Sequence, residues 1–233
     1  MKERIWELDA LRGLSILCVV AIHLGFDLML FGLVDFSWSP LMLFVKEYGG
    51  AIFVILSGIC ITLGRGNLKR ASVVVICALL LTAATYALSL MGLIDDSLVI
   101  RFGVLHLLGS CMLLYHVYKR LPLKAMGFAA IVIIVAGYVL EGMYFPIRGL
   151  FFLGIVDKSF ASGDFFPLLP HLGWFMLGNV LGVTVYKDKK TLFPKVDTKA
   201  LPIRLLSFCG RASLPIYLLH QPLFFGLIYL IKG

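Results

Sequence analysis

Long apolar stretches, separated by short polar segments, run through the whole chain. A membrane-spanning helix needs about 20 mostly apolar residues to cross a hydrocarbon core of about 30 Å. Seven stretches come close to this length, at approximately 12–34, 42–64, 71–93, 101–118, 125–143, 168–186 and 212–231. The pattern therefore predicts an all-α integral membrane protein, a bundle of about seven transmembrane helices forming a single domain over residues 1–233.

The composition supports a multi-pass membrane protein. Of the 233 residues, 61% are hydrophobic and only 15% are charged, whereas soluble domains typically contain about 25% charged residues. The five cysteines are scattered, and no spacing indicates a disulfide framework or a zinc site. We therefore expect no metal centre.

The basic residues indicate an orientation. If the N-terminus is inside, five of the 21 Lys and Arg residues lie outside and the other 16 lie inside. The outside residues are Lys46, Arg101, Arg148, Lys158 and Lys232. Because inner loops of membrane proteins are enriched in Lys and Arg, this asymmetry predicts an inner N-terminus and an outer C-terminus. The net charge of +8 is accounted for in this way, so no nucleic-acid partner is expected.

The first apolar stretch carries ionisable residues that a simple anchor does not need. Arg12 and His23 are 11 residues apart, or roughly 16 Å along a helix, so His23 lies near mid-membrane if Arg12 lies at the inner surface. Asp27 follows His23 by one helical turn. An ionisable residue at this depth indicates a functional site. We predict that His23 is a catalytic base or acyl carrier oriented by Asp27; the structural alternative is a buried histidine with satisfied hydrogen bonds.

His220 is predicted to lie at a similar depth. It follows Arg211 by nine residues, about 13 Å along a helix that runs parallel to the first one. Pro215 and Pro222 flank it and loosen the backbone, which suits a helix that lines a cavity. His220 is therefore a candidate partner, proton relay or oxyanion donor for His23.

Two connecting segments are unusually long. The outer loop 144–167 is rich in aromatic residues, and we expect it to fold back on the bundle with a short interfacial helix over 147–156. Asp164 precedes the sixth span, and the positive end of the helix dipole favours a carboxylate at this N-terminus. The inner segment 187–211 holds seven basic residues and is predicted to be a loop that contacts anionic lipid or a polyanionic ligand.

Several motifs resemble one known family. They are Arg4-Ile-Trp-Glu-Leu-Asp9-x-Leu-Arg12-Gly13-Leu with His23-Leu-Gly-Phe-Asp27, Ile52-Phe-Val-Ile-Leu-Ser-Gly58, Phe102-Gly-Val-Leu-His106, Asp164-Phe-Phe-Pro-Leu-Leu-Pro170, and Ile216-Tyr-Leu-Leu-His220-Gln-Pro222. Their order over nearly the whole chain resembles the bacterial branch of the heparan-α-glucosaminide N-acetyltransferase catalytic-domain family. The Arg12–His23 spacing is also similar to the Arg-x10-His feature of other transmembrane acyltransferases.

The resemblance implies an enzyme of the bacterial cytoplasmic membrane. It would transfer an acetyl group from cytoplasmic acetyl-CoA to a sugar amine or hydroxyl at the outer face, and the chain could also form homo-oligomers. Arginine suits the donor phosphates because its guanidinium binds them bidentately. The donor candidates are Arg12, Arg65, Arg70 and Arg211. The candidates for binding the extracytoplasmic glycan or other small acceptor are His106, Arg148, Asp164 and His171.

Two other functions fit the same residues. In a small-solute or lipid transporter, the intramembrane His, Asp and Arg residues would line a permeation path. In a haem protein, His23 and His220 would be the axial ligands of the iron.

Overall fold

The described part of the chain is helical. The computed structural model describes residues 4–35, 39–147 and 149–232, and within these ranges it contains eight α-helices and no β-strand. The helices are α1 (Trp6–Leu30), α2 (Pro40–Leu63), α3 (Asn67–Leu90), α4 (Val104–Tyr118), α5 (Leu123–Leu140), α6 (Leu168–Thr184), α7 (Leu201–Arg211) and α8 (Ser213–Lys232). The all-α prediction is confirmed, and every predicted span coincides with one of these helices.

The helices at the predicted spans fall into two groups. Four helices, α1, α2, α3 and α5, are long and apolar enough to cross a membrane. The other three are shorter apolar helices within Val104–Tyr118, Leu168–Thr184 and Ser213–Ile228. The chain is thus a multi-pass membrane protein, and the number of spans and their orientation stay predictions.

Helix α1 is shifted relative to its predicted span of 12–34. It begins at Trp6, and its first turn contains Glu7 and Asp9, whose negative charges are favoured by the positive end of the helix dipole. It ends at Leu30, and Gly32 follows with φ of 64°, a left-handed conformation that glycine adopts without strain. Glu7 and Asp9, which lie before the predicted start, are therefore part of the helix.

The structure divides into two compact units, one formed by Met1–Leu56 with Tyr186–Gly233 and the other by Ser57–Val185. In the first unit, α1 packs against α7 and α8. A Cβ atom on Gly13 would collide with the carbonyl oxygen of Leu206, and one on Gly210 would collide with that of Asp9. These glycines let the backbones of α1 and α7 touch, as small residues do at close helix crossings.

Helix α7 corrects one prediction. The segment 187–211 was expected to be a loop, but residues 201–211 form a helix that begins with Pro202 in its first turn. An 11-residue helix is too short to span a membrane, and the basic residues of the whole segment 187–211 concealed its helical pattern.

In the second unit, polar side chains join three helices. Asn179 of α6 is 1% exposed, and its amide nitrogen donates to the carbonyl of Gly58 at 2.8 Å. Its amide oxygen accepts from the hydroxyl of Tyr118 on α4 at 2.7 Å. A Cβ on Gly58 would meet the carbonyl oxygen of Phe175, so α2 and α6 approach each other closely at this glycine.

The loop 144–167 folds back on the start of α4, as expected. The Phe166 amide donates to the Phe102 carbonyl at 2.9 Å, and the Gly163 amide donates to the Val99 carbonyl at 3.3 Å. The prediction of a helix over 147–156 is wrong. Among the described residues of this range, Phe151–Leu153 forms a single 3-10 turn and the others are not helical. Residue 148 of this loop lies outside the described residues.

Candidate functional site

His23 and His220 are in direct contact within the first unit. Nδ1 of His23 lies 2.7 Å from Nε2 of His220, and the two rings are 5.0 Å apart with an interplanar angle of 24°. His220 is buried on α8, and His23 is half-buried on α1. His220 is thus the hydrogen-bond partner of His23, while the depth of the pair in the membrane stays a prediction.

The hydrogen bonds determine which ring nitrogens carry protons. Nδ1 of His220 lies 2.6 Å from the carbonyl oxygen of Tyr217, and a carbonyl only accepts, so this nitrogen carries a hydrogen. In neutral His220 the Nε2 atom is then an acceptor, so Nδ1–H of His23 donates to it. Nε2 of neutral His23 consequently keeps its lone pair, and it makes no hydrogen bond within the described residues. This assignment follows from the network of heavy atoms.

The same contact argues against the haem alternative. Axial ligands direct their nitrogens at an iron between them. Here Nδ1 of His23 and Nε2 of His220 point at each other at hydrogen-bond distance, so the pair leaves no iron position between these two atoms.

Asp27 does not orient His23, contrary to prediction. Its side chain is completely buried on α1, and neither carboxylate oxygen forms a hydrogen bond within the described part of the chain. The side chain of Gln221, the residue after His220, interacts with the Asp27 carboxylate without meeting the geometric criteria of a hydrogen bond. The Gln221 amide oxygen is also buried without a hydrogen bond. The Asp27–His23 spacing of one turn predicted the shared face correctly but not the partner.

Charged residues cluster at the start of α1. Arg12 lies 3.8 Å from Asp9, one helical turn away, and Arg4 lies 3.6 Å from the same carboxylate. Glu7 is buried and accepts hydrogen bonds from the Thr191 hydroxyl and the Leu192 amide, both at 2.8 Å. Sequence reasoning missed Glu7, because no local signal connects it to a segment about 185 positions later.

The other arginines predicted to bind the phosphates of the acetyl donor lie in different parts of the structure. Arg211 is exposed at the end of α7 and lines a cavity of about 360 Å³ together with Trp6, Arg204 and Ser207. Arg65 and Arg70 belong to the second unit, where both are exposed at the end of α2 and the start of α3.

His106 has a structural role in the second unit. Its Nδ1 accepts from the Gly103 amide at 3.2 Å. Its Nε2 lies 3.1 Å from the hydroxyl of Thr82, which itself donates to the Ile100 carbonyl, so Nε2–H of His106 donates to Thr82. Both ring nitrogens are therefore occupied, which leaves His106 no free nitrogen for the acceptor.

Asp164 acts at a different helix from the one expected. Its carboxylate accepts from the Val104 amide at 2.9 Å, at the N-terminus of α4 rather than of α6. A Cβ on Gly103 would collide with this carboxylate, so the glycine makes room for it. The helix-dipole role is retained, with α4 as the recipient.

The other acceptor candidates lie near the 144–167 loop. Nδ1 of His171 donates to the Pro167 carbonyl at 2.8 Å, within the first turns of α6. A cavity of about 440 Å³ is lined by Arg101 and Asp96, which pair at 2.6 Å, and by loop residues including Asp157. Arg148 lies outside the described residues.

One comparison with known proteins gives a match. The family model described as heparan-alpha-glucosaminide N-acetyltransferase, catalytic, matches residues 4–222, nearly the whole chain. No curated protein and no solved structure matches the chain.

Proposed function

Because the chain belongs to the heparan-alpha-glucosaminide N-acetyltransferase catalytic family, we propose that it transfers an acetyl group from acyl-CoA to a sugar amine or hydroxyl, with Nε2 of His23 as the base. The family supports a membrane acetyltransferase. The observation that carries the proposal is the 2.7 Å contact between His23 and His220, which leaves the lone pair of His23 Nε2 available.

The reaction requires one proton to be moved twice. Nε2 of His23 removes the proton from the acceptor hydroxyl or amine as the acceptor atom attacks the thioester carbonyl carbon. The carbon–sulfur bond then breaks, and Nε2–H of His23 returns the proton to the leaving thiolate to give CoA–SH. During the step, neutral His220 accepts a hydrogen bond from the Nδ1–H of the His23 imidazolium and so stabilises its charge.

Asp27 and Gln221 are proposed to bind the acceptor. A completely buried carboxylate without a hydrogen bond requires an explanation, because such groups are rare and costly. A hydroxyl or amine donor on the acceptor would satisfy the Asp27 oxygens one helical turn from His23.

Arg12 is proposed to bind the donor phosphates. Its guanidinium is about 20% exposed and held near Asp9, which limits the side chain to fewer conformations before the donor arrives. We expect Arg12→Gln to weaken acetyl-CoA binding, measured by calorimetry in detergent, while acceptor binding stays unchanged. Arg4→Gln is the matched control, since Arg4 contacts the same carboxylate but is 69% exposed. Equal losses in the two variants would refute the assignment.

The function is tested by acetyl transfer in proteoliposomes. Acetyl-CoA labelled in the acetyl group is supplied with glucosamine or a hydroxyl sugar, and both CoA thiol release and labelled product are measured. We expect His23→Gln to reduce transfer by about 10²- to 10⁴-fold, the usual contribution of a general base. His116→Gln is the control, because His116 of α4 only donates to the Met112 carbonyl. Transfer retained by His23→Gln would refute the role of His23, and no transfer by a folded wild type that binds no acetyl-CoA would favour a transporter.

A further inference from the structure

The cavity beside α7 contains unused hydrogen-bond donors. Ser207 is 7% exposed, yet its hydroxyl has no hydrogen-bond partner within the described residues, and the indole N–H of Trp6 is also buried without one. Both residues line the cavity of about 360 Å³, together with the guanidinium-bearing Arg204 and Arg211. All four of these polar groups can therefore donate hydrogen bonds into the cavity, and two of them carry positive charge.

The residues of α7 form three stripes. Leu206 and Gly210 meet α1, where Gly13 allows the close approach. Arg204, Ser207 and Arg211 follow the spacing i, i+3, i+7 and share one face. The third stripe, at i, i+4, i+7, is apolar and more than half exposed: it consists of Leu201, Leu205 and Phe208, which also line the cavity.

The neighbours of α7 indicate that it lies at the membrane boundary. It packs on the first turns of α1, which contain the charged residues Glu7, Asp9 and Arg12, and such a concentration of charge is excluded from the hydrocarbon core. Only Ala212 separates it from the apolar helix α8. An amphipathic helix in this position places its apolar stripe among acyl chains and its basic residues at the headgroups.

We propose that this cavity binds the headgroup phosphate of an anionic phospholipid. Two guanidinium groups, a hydroxyl and an indole N–H offer several donors for the phosphate oxygens, with opposite charge. The exposed apolar stripe beside them matches the acyl chains of the same molecule. Phosphate is also present in CoA, but a soluble phosphate ester has no need of three exposed apolar side chains at the site, so the observations favour a lipid.

The test uses Trp6 as the reporter. In a Trp38→Phe/Trp174→Phe background, Trp6 is the only tryptophan of the chain. Its fluorescence is quenched by brominated phosphatidylglycerol or brominated phosphatidylcholine in mixed vesicles, and the preference is the ratio of the two quenching efficiencies. The measurement is made in 1 M NaCl, where the Debye length is about 3 Å and general surface attraction is screened.

We expect phosphatidylglycerol to be preferred about five-fold or more even at this salt concentration, since charge-assisted hydrogen bonds to a partly buried phosphate are screened much less than attraction to an open surface. Arg204→Gln/Arg211→Gln should abolish this preference and Ser207→Ala should reduce it without changing charge. Lys187→Gln/Lys190→Gln, two exposed lysines outside the cavity, is the charge-matched control and should retain it.

Three outcomes would overturn the proposal. They are a preference absent at high salt, a preference that persists in the double arginine variant, and an equal loss in the lysine control. In a final arm acetyl-CoA is added. If it restores Trp6 fluorescence, the ligand of the cavity is a soluble phosphate ester and not a lipid. Unchanged fluorescence supports the lipid and leaves the proposed acetyl transfer to its own assay.

Discussion

Replacement of His220 by Phe tests the role of the hydrogen bond between the two histidines. His220 is only 4% exposed, so a ring of similar size is needed to keep the packing between α1 and α8. Phe keeps that ring but removes both nitrogens, and Nδ1–H of His23 then has no acceptor at this position.

The size of the effect follows from the charge on His23 during the reaction. A hydrogen bond to a charged group contributes about 1.5–3 kcal/mol, compared with about 0.5–1.5 kcal/mol for a neutral one. Because His23 becomes an imidazolium only when it has taken the acceptor proton, most of this stabilisation is absent in the ground state. The difference between the two, about 1–1.5 kcal/mol, acts only on the reaction step, so we expect His220→Phe to lower kcat by roughly 5- to 13-fold, with KM for acetyl-CoA unchanged.

The assay is steady-state thiol release from acetyl-CoA in proteoliposomes, with thermal unfolding in detergent to confirm that the variant is folded. His220→Gln is the rescue control, because its amide oxygen can replace Nε2 as the acceptor for His23, and we expect it to recover most of the lost kcat. A folded His220→Phe variant with wild-type kcat would refute the reasoning, as would a loss confined to KM.

Three further predictions test the surrounding structure. Asp27→Asn should raise KM for the acceptor by about 2- to 12-fold, the value of one neutral hydrogen bond, and leave KM for acetyl-CoA unchanged; a change only in the donor KM would contradict its role. Asp164→Ala should destabilise the protein by about 0.5–2 kcal/mol, seen as a lower Tm, because the Val104 amide loses its cap. Gly13→Val should lower Tm more than a substitution on an exposed face of α1, because its side chain collides with the Leu206 carbonyl; an unchanged Tm would show that the helices do not touch there.

The sequence predicted the principal helices and the proximity of the two histidines because both depend on local spacing. Helical rise alone places His23 and His220 at similar distances from Arg12 and Arg211, and the structure brings them into contact. The same logic explains the Asp9–Arg12 pair, whose partners are one turn apart.

The wrong predictions involve partners that are distant in the sequence, or patterns that are compatible with both a helix and a loop. Asp164 was assigned to the helix that follows it, but it caps α4, 60 residues earlier. Asp27 shares a face with His23, yet α8 supplies a better partner, because the Nε2 of His220 is available as an acceptor. The short helix α7 was mistaken for a loop because its basic residues suited both an amphipathic helix and a charged connection.

The central claim is that Nε2 of His23 is the unprotonated nitrogen and that its Nδ1–H donates to His220. The most direct test is ¹⁵N NMR of the protein labelled at its five histidines, at mildly alkaline pH, with the His23 signals assigned by their loss in His23→Gln. The account predicts a hydrogen-bearing Nδ1 and an unprotonated Nε2 for His23, with a hydrogen-bearing Nδ1 for His220. A hydrogen on Nε2 of His23 and none on its Nδ1 would contradict the account, because the nitrogen assigned as the base would already be protonated.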